Sequence, residues 1–241
     1  MGKKTVAVVQ SNYIPWKGYF DLIRTADEFV LYDDVQYTRR DWRNRNKIKT
    51  ADGVQWLTIP VDVKGKYAQT IRETTIADGG WAENHRTRLR HAYARAPFYP
   101  DYRDAIGGWY AEAAGLRTLS EVNALFLRRI GPLLGVTTPI TDSADFTLGN
   151  PDPTGRLRDI CVQAGATEYL SGPAARAYLD ESVFVGAGVT VRYMDYAGYP
   201  EYPQLHGTFD HAVSVLDLLF MTGPRAADYL SRVSEQSRRA G

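Results

Sequence analysis

The chain has one cysteine, Cys161, in 241 residues. No intramolecular disulfide and no site with several thiolate ligands can form, so a reducing compartment is expected, with Cys161 as a small core residue. Charge of one sign is also missing: 29 Lys and Arg stand against 28 Asp and Glu, and a formal net charge of +1 gives no bulk sign of a polyanion binder. Long apolar runs are absent too. The opening MGKKTVAVVQ carries two lysines, a short apolar stretch and no small-residue cleavage site, and nowhere do about 20 apolar residues follow one another. A cytoplasmic protein without a membrane span is expected. Finally there is no GxxxxGK(S/T) loop, GxGxxG, HExxH, GxSxG or CxxC, which argues against kinase, hydrolase and zinc-enzyme readings.

What is present is a globular composition, 44% hydrophobic and 24% charged, with 16 tyrosines and 5 tryptophans. Many of these aromatics fall in polar stretches punctuated by Gly or Pro, which suits either a ligand cleft or the rim of a core. Thr5 to Val9 reads as a buried strand, Gly18 to Ala26 as a helix and Glu28 to Tyr32 as a second strand. This βαβ unit would place both of its polar loops on one rim, at the carboxyl ends of the strands. Gln55 to Val61 reads as another strand and Thr70 to Ile76 as a partly exposed one. From Trp81 to Leu134 the pattern is helical, with Ser120 as an N-cap. A second strand–loop–helix unit follows: a helix at Gly155 to Ala164, a strand at Glu168 to Leu170 and a helix at Pro173 to Leu179. Gly188 to Tyr193 is a late strand and Val213 to Phe220 a late helix. The expected class is α/β, a Rossmann-like parallel sheet with a helical insertion or subdomain. The core would occupy 1–80 and 150–223, the helical part 81–149, and a C-terminal helix and tail 224–241.

Four clusters can carry chemistry. The first, on the rim after the first strand, is Gln10, Ser11, Asn12, Tyr13, Pro15, Trp16, Gly18 and Tyr19, which lead into a helix N-terminus suited to an anion. An ordinary loop explains it equally well. The second runs Asp33, Asp34, Gln36, Tyr37, Arg39, Arg40, Trp42, Arg43, Asn44, Arg45 and Asn46. Arginine forks grip phosphate or carboxylate, while Asp33 and Asp34 could orient those arginines, bind Mg²⁺ through water or accept a proton. A solvated charge run is the alternative. The third is Ser171, Gly172, Arg176 and Tyr178 at a strand-to-helix junction, an anion cradle or a plain N-cap. The fourth holds Tyr199, Tyr202, Gln204, His206 and Phe209 before the last helix, with His206 as a candidate acid or base. His85 and His91 are six apart, the wrong spacing for a shared metal on one helical face.

The stretches QSNYIPWKGYFDLIRTADEFVLYDDVQYTRRDWRNRNKI, YLSGPAARAYLD and YPQLHGTFDHAVSVLDLLF resemble the WbqC-like family over nearly the whole chain. That resemblance implies a place among O-antigen, sugar-modification or natural-product gene clusters, without fixing a reaction. IPWKGYFDLI and YLSGPAARAYL are also similar in placement to the PxxxGH loop and the serine phosphate motif of the nucleotidylyltransferase and pantothenate-synthetase group, which implies a HUP-type sheet. Tyr19 stands where that group has its GH histidine, and Trp16 or a neighbour where it has the partner histidine, which speaks against adenylyl transfer by that route. The resemblances imply an enzyme forming an amide, by moving an acyl or aminoacyl group onto an amine of a nucleotide-linked sugar or natural-product precursor. Two alternatives stand beside it: a nucleotide- or aminoacyl-tRNA-binding module without turnover, and an adenylating enzyme. ATP or an activated donor, and Mg²⁺, are possible cofactors. The expected catalytic residues are His206, Asp33, Asp34 and Tyr19, and the expected partner is a phosphorylated or nucleotide-linked small molecule, with tRNA a further possibility.

Overall fold

The structure, a computed structural model, describes residues 2–230. Five short strands form a parallel sheet, its central strands buried nearly along their whole length and successive strands joined by crossovers. They are β1 (Thr5–Val9), β2 (Glu28–Leu31), β5 (Ile140–Asp142), β6 (Glu168–Ser171) and β7 (Thr190–Tyr193), and their order across the sheet is β5-β2-β1-β6-β7. Every neighbouring pair is parallel. Numbered among themselves the strands run 3-2-1-4-5, a Rossmann-like order in which the crossovers change direction between β1 and β6.

The two-residue period of a strand sorts the core into two layers. Ala7, Phe29, Leu31 and Leu170 face one layer with α1 (Lys17–Thr25) and α7 (Val215–Thr222). Val6, Val8, Val30 and Tyr169 face the other, with α5 (Pro153–Gln163) and α6 (Glu181–Val185). Full burial of Phe20 and Ile23 on α1 stabilises by about 1.5–3 kcal/mol for each side chain. Cys161 is buried in the second layer, and burial pushes its thiol up to about 12.

Between β2 and β5 lies the long insertion. An antiparallel hairpin, β3 (Arg45–Thr50) with β4 (Gly53–Thr58), comes first, then α2 (Trp81–Tyr93), α3 (Tyr99–Ala113) and α4 (Leu119–Ile130). These helices share the first core layer through Trp81, Leu89, Tyr110 and Phe126. No helix among the described residues is long and apolar enough to cross a membrane.

Several local expectations are corrected. Residues 70–76 are not a strand: they fold back over the carboxyl edge of β2, with only isolated bridges and with Arg72 N–H donating to the Asp33 carbonyl at 3.0 Å. The cap of α4 is Thr118, whose hydroxyl accepts from Glu121 N–H while the Glu121 carboxylate accepts from Thr118 N–H at 2.9 Å. Ser120 therefore sits inside that helix. The segment after Gly172 is a five-residue 3₁₀ turn, Pro173–Ala177, rather than an α-helix. Of the expected C-terminal helix and tail, Gly223–Tyr229 is a 3₁₀ helix, and 231–241 lie outside the described residues.

Candidate functional site

The carboxyl ends of β1 and β6, where the crossovers diverge, are the natural crevice of such a sheet. β1 delivers the loop 10–16, and this loop is strained: Ile14, β-branched and followed by a proline, has φ +35°. Such a conformation costs about 1–3 kcal/mol and persists only where the surroundings impose it. Here Asn46 on β3 imposes it, its amide donating to the carbonyls of Tyr13 at 3.1 Å and Ile14 at 3.0 Å. Tyr13 N–H donates to the Trp42 carbonyl at 3.1 Å, and Val215 N–H to the Pro15 carbonyl at 3.0 Å. The hairpin and the start of α7 thus clamp the loop from two sides.

In front of the clamped loop opens a cavity of about 250 Å³, lined by Asn12, Pro15, Trp16, Trp42, Asn46, His211 and Ala212. Trp16 lies across the first turn of α1, and Gly18 makes this possible: a Cβ there would come 2.2 Å from the indole. On its other side Trp16 meets Tyr196 at 5.0 Å and Tyr199 at 5.8 Å, both edge-on. A Cβ on Gly172, just past β6, would lie 4.0 Å from the Tyr196 hydroxyl. Trp16 and Tyr196 therefore link the cavity to the β6 end of the sheet.

Cations surround the cavity. Arg43 donates to Asn12 Oδ1 at 2.5 Å and to the Gln10 carbonyl at 3.2 Å. Lys47 lies 5.8 Å from the centre of the Trp42 ring. Lys17, almost fully buried, donates to the Pro200 carbonyl at 2.7 Å and sits over the rings of Tyr199 and Tyr202; burial lowers its amine to about 8. The His211 ring lies edge-on to Phe209 at 4.5 Å and tilted against Tyr199 at 6.5 Å. Its Nδ1 is enclosed and has no hydrogen-bond partner among the described residues. Burial, with the Lys17 charge, lowers its pKa and keeps the ring neutral at ordinary pH.

The residues marked out in the sequence divide sharply. Asn12, Trp16 and Trp42 line the cavity, Gly18 lies under the Trp16 indole, and Gly172 lies beside Tyr196. Tyr19 is buried and its hydroxyl donates to the Gln10 carbonyl at 2.8 Å, while burial and then the Asp33 charge raise its pKa far above the usual value. Tyr13 is wholly enclosed, 2.9 Å from His85 Nδ1 and 2.6 Å from the Tyr110 hydroxyl. Asp33, also at zero exposure, accepts from Ser11 N–H at 2.8 Å and Ser120 Oγ at 2.5 Å; burial raises its pKa and these donors oppose the rise. Asp34 belongs to a separate group. Arg72 Nε donates to it at 2.7 Å and Ser143 Oγ at 2.5 Å, Arg72 also pairs with Asp142, and these bonds hold the Asp34 carboxyl below its usual range. With their oxygens thus engaged, the two aspartates share no site for Mg²⁺. Among the described residues there is no group of three or more His, Cys, Asp and Glu placed to hold a metal ion.

Others lie further off. His206 meets the Ala92 carbonyl at 3.1 Å, and Gln204 accepts from Lys49 Nζ at 2.8 Å in a buried group that includes Tyr202. Gln36 donates to the Tyr67 carbonyl, Tyr37 is buried, and Asn44 donates to the Ile59 carbonyl. Arg40, at φ +58°, gives its carbonyl to Arg45, whose guanidinium stacks on Trp56 at 4.1 Å. Ser171 is buried beside the Tyr169 hydroxyl at 3.3 Å, Arg176 stacks on Tyr193 at 4.4 Å, and Tyr178 is exposed. The turn after Gly172 offers no run of amides to an anion, since its first residue, Pro173, has no N–H. Tyr13, Arg45 and Ser171 are not among the residues lining the cavity.

The sequence reading passed over His211, Lys17, Tyr196 and Arg72. His211 carried one signal: it lies in the same HGTFDHA stretch as His206. A larger, shallower groove lined by Arg72, Glu112, Thr118, Glu121 and Arg129 is the less suitable site, because its charges pair among themselves, Arg129 with Glu112 and Arg72 with Asp142.

The chain is 50% identical over 227 residues to an uncharacterized protein of Mycobacterium tuberculosis, Rv1507c, covering 94% of this chain and 97% of that protein. No solved structure matches it significantly. The description of the WbqC-like protein family matches residues 10–229, a span that takes in the strained loop, the hairpin, both tryptophans of the cavity and His211, and the chain belongs to that family.

Proposed function

We propose that the chain is an enzyme that forms an amide, transferring an acyl or aminoacyl group to an amine of a small nucleotide-linked or otherwise phosphorylated molecule. The observation that carries this reading is His211, a histidine of lowered pKa whose Nδ1 has no hydrogen-bond partner among the described residues, in an aromatic cavity at the carboxyl end of β1. At about 250 Å³ the cavity is smaller than the ~300–1,000 Å³ usual for a whole drug-sized ligand, so it takes one ring of the substrate and leaves the rest outside. Trp16 and Trp42 offer π-faces to that ring, and Asn12 offers an amide. Phosphate would lie toward Arg43, which donates to Asn12 Oδ1.

In the reaction the amine nitrogen attacks the acyl carbonyl. A C–N bond forms, the bond to the leaving group breaks with its electron pair going to that group, and the proton shed by nitrogen passes to His211. General-base assistance of this kind contributes about 10²–10⁴-fold. The acyl group arrives activated, either through ATP or on a preformed donor, and the HUP-like arrangement of the sheet would suit a nucleotide in that role.

The test is to incubate the purified chain with ATP, amino or acyl acids and amino-sugar nucleotides, and to search for an amide by mass spectrometry. Product that disappears in His211→Ala is expected. A nucleotide adduct without amide would favour adenylation, binding without product a module lacking turnover, and a persistent blank across donors would sink the transfer reading.

A further inference from the structure

Charge is not spread evenly along this chain. Residues 39–58 hold six Lys and Arg against two Asp, a local net charge of +4 in a protein whose total is +1. The hairpin sorts these charges by the two-residue period of its strands. Asn46, Ile48 and Leu57 point inward and are buried, while Arg45 and Lys47 share the outer face with Trp56, which is directly opposite Lys47 in the register. Trp42 joins that face, its ring 5.3 Å from Trp56. Arg45 stacks on Trp56 at 4.1 Å, and Lys47 lies 5.5 Å from the Trp56 ring and 5.8 Å from Trp42. The result is a ladder of two indoles interleaved with two cations, and none of the four side chains forms an ion pair among the described residues.

We propose that this ladder is a binding surface for single-stranded RNA, which lays its bases on the Trp42 indole and on the Arg45 guanidinium plane that Trp56 supports, with its phosphates against Lys47. Aromatic rings interleaved with cations match the alternation of base and phosphate in an unpaired strand. A duplex hides its base faces and would use the cations only. A bilayer would need protruding apolar side chains, whereas Trp42 is 38% exposed and faces a concave cavity, and Trp56 lies under a guanidinium. Trp42 belongs to both ladder and cavity, so a strand bound here ends at the cavity mouth. The inference deepens the transfer reading by making an RNA-borne acyl group its donor class.

Anisotropy of fluorescein-labelled decauridylate tests the surface with the full chain. Binding that weakens with salt is expected, and Trp56→Ala should lower affinity about tenfold, one stacked base being worth that much. Lys47→Gln, a surface change that leaves the fold intact, should reduce the magnitude of the log–log salt slope by about 0.7. Binding to a ten-base-pair duplex as tight as to the single strand, binding to phosphatidylglycerol vesicles but not to RNA, or affinity unmoved by both substitutions would overturn the proposal. The two readings fail separately. Amide formation from small donors without RNA binding removes this surface and leaves the transfer reading standing, while RNA binding in a chain that never yields amide does the reverse.

Discussion

Behind the loop that follows β1, most polar groups satisfy one another, with Asn123 Oδ1 an exception: Ser11 N–H and Ser120 Oγ on Asp33, Asn123 Nδ2 on Ser11 Oγ at 2.9 Å, and Tyr13 between His85 and Tyr110. In front of the same loop, His211 Nδ1 has no hydrogen-bond partner among the described residues, and Arg45 and Lys47 rest on π-faces rather than on carboxylates. Buried polar groups are expensive to leave unpaired, so the first region reads as architecture. The second keeps its polar capacity for something that is not part of the chain. Chemistry-bearing residue types occur in both regions, and only the bookkeeping of their partners separates them.

The contrast can be broken by substitutions on either side. Asp33→Ala leaves an amide and a hydroxyl stranded in the core, and a loss of about 2–5 kcal/mol is expected from two hydrogen bonds to a charged group. Urea denaturation measures it; a loss below about 1 kcal/mol would remove Asp33 from the architecture and return it to the site.

His85 gives the next effect, through pH. Its native pKa is lowered to about 4 by burial, against 6.5 for an unburied ring. The unfolded chain takes up that proton first on acidification, so the stability due to neutral His85 is complete above about pH 6.5 and drains away as pH falls toward 4, by about 3 kcal/mol in all. The difference between wild type and His85→Gln in urea midpoints at pH 7.5, 5.5 and 4.5 isolates this term from the carboxylates. A difference that stays constant with pH would show that His85 is not held neutral.

Gly18→Ala sharpens the boundary between the regions. Its Cβ must drive the Trp16 indole out of place, and overpacking of this kind costs about 1–3 kcal/mol. Loss of product or ligand binding with most of the stability retained is expected; unchanged binding would mean that Trp16 does not shape the ligand site. The smallest effect on stability belongs to His211→Ala, within about 0.5 kcal/mol because its Nδ1 has no hydrogen bond to lose. That variant should instead lose turnover by about 10²-fold or more, and full activity would end the proton-acceptor role.

The βαβ opening, the helix before β6 and β6 itself were legible because apolar runs of strand length alternated with helical spacing, whereas the helix expected after Gly172 is a 3₁₀ turn. The aspartates misled, since Asp33 and Asp34 are adjacent in sequence while their side chains join different networks, one under α4 and the other on Arg72 and Asp142. Strand β3 hid inside the charged cluster because alternation of Arg, Lys and Asn with a single Ile looks like a solvated run until the tertiary fold buries Asn46 and Lys49. Nothing local marked Arg72, which is reached only when residues 70–76 fold over the sheet edge.

The sequence by itself determined the parallel α/β architecture, the rim after β1 and the concentration of positive charge at 39–58, since periodicity and composition are local properties of the chain. The tertiary structure alone decided which polar residues are spent on each other and which stay open. Pairing joins residues as far apart as Ser11 and Asn123, or Lys49 and Gln204, and hydrogen-bond saturation is a property of three-dimensional neighbourhoods that no spacing along the chain encodes.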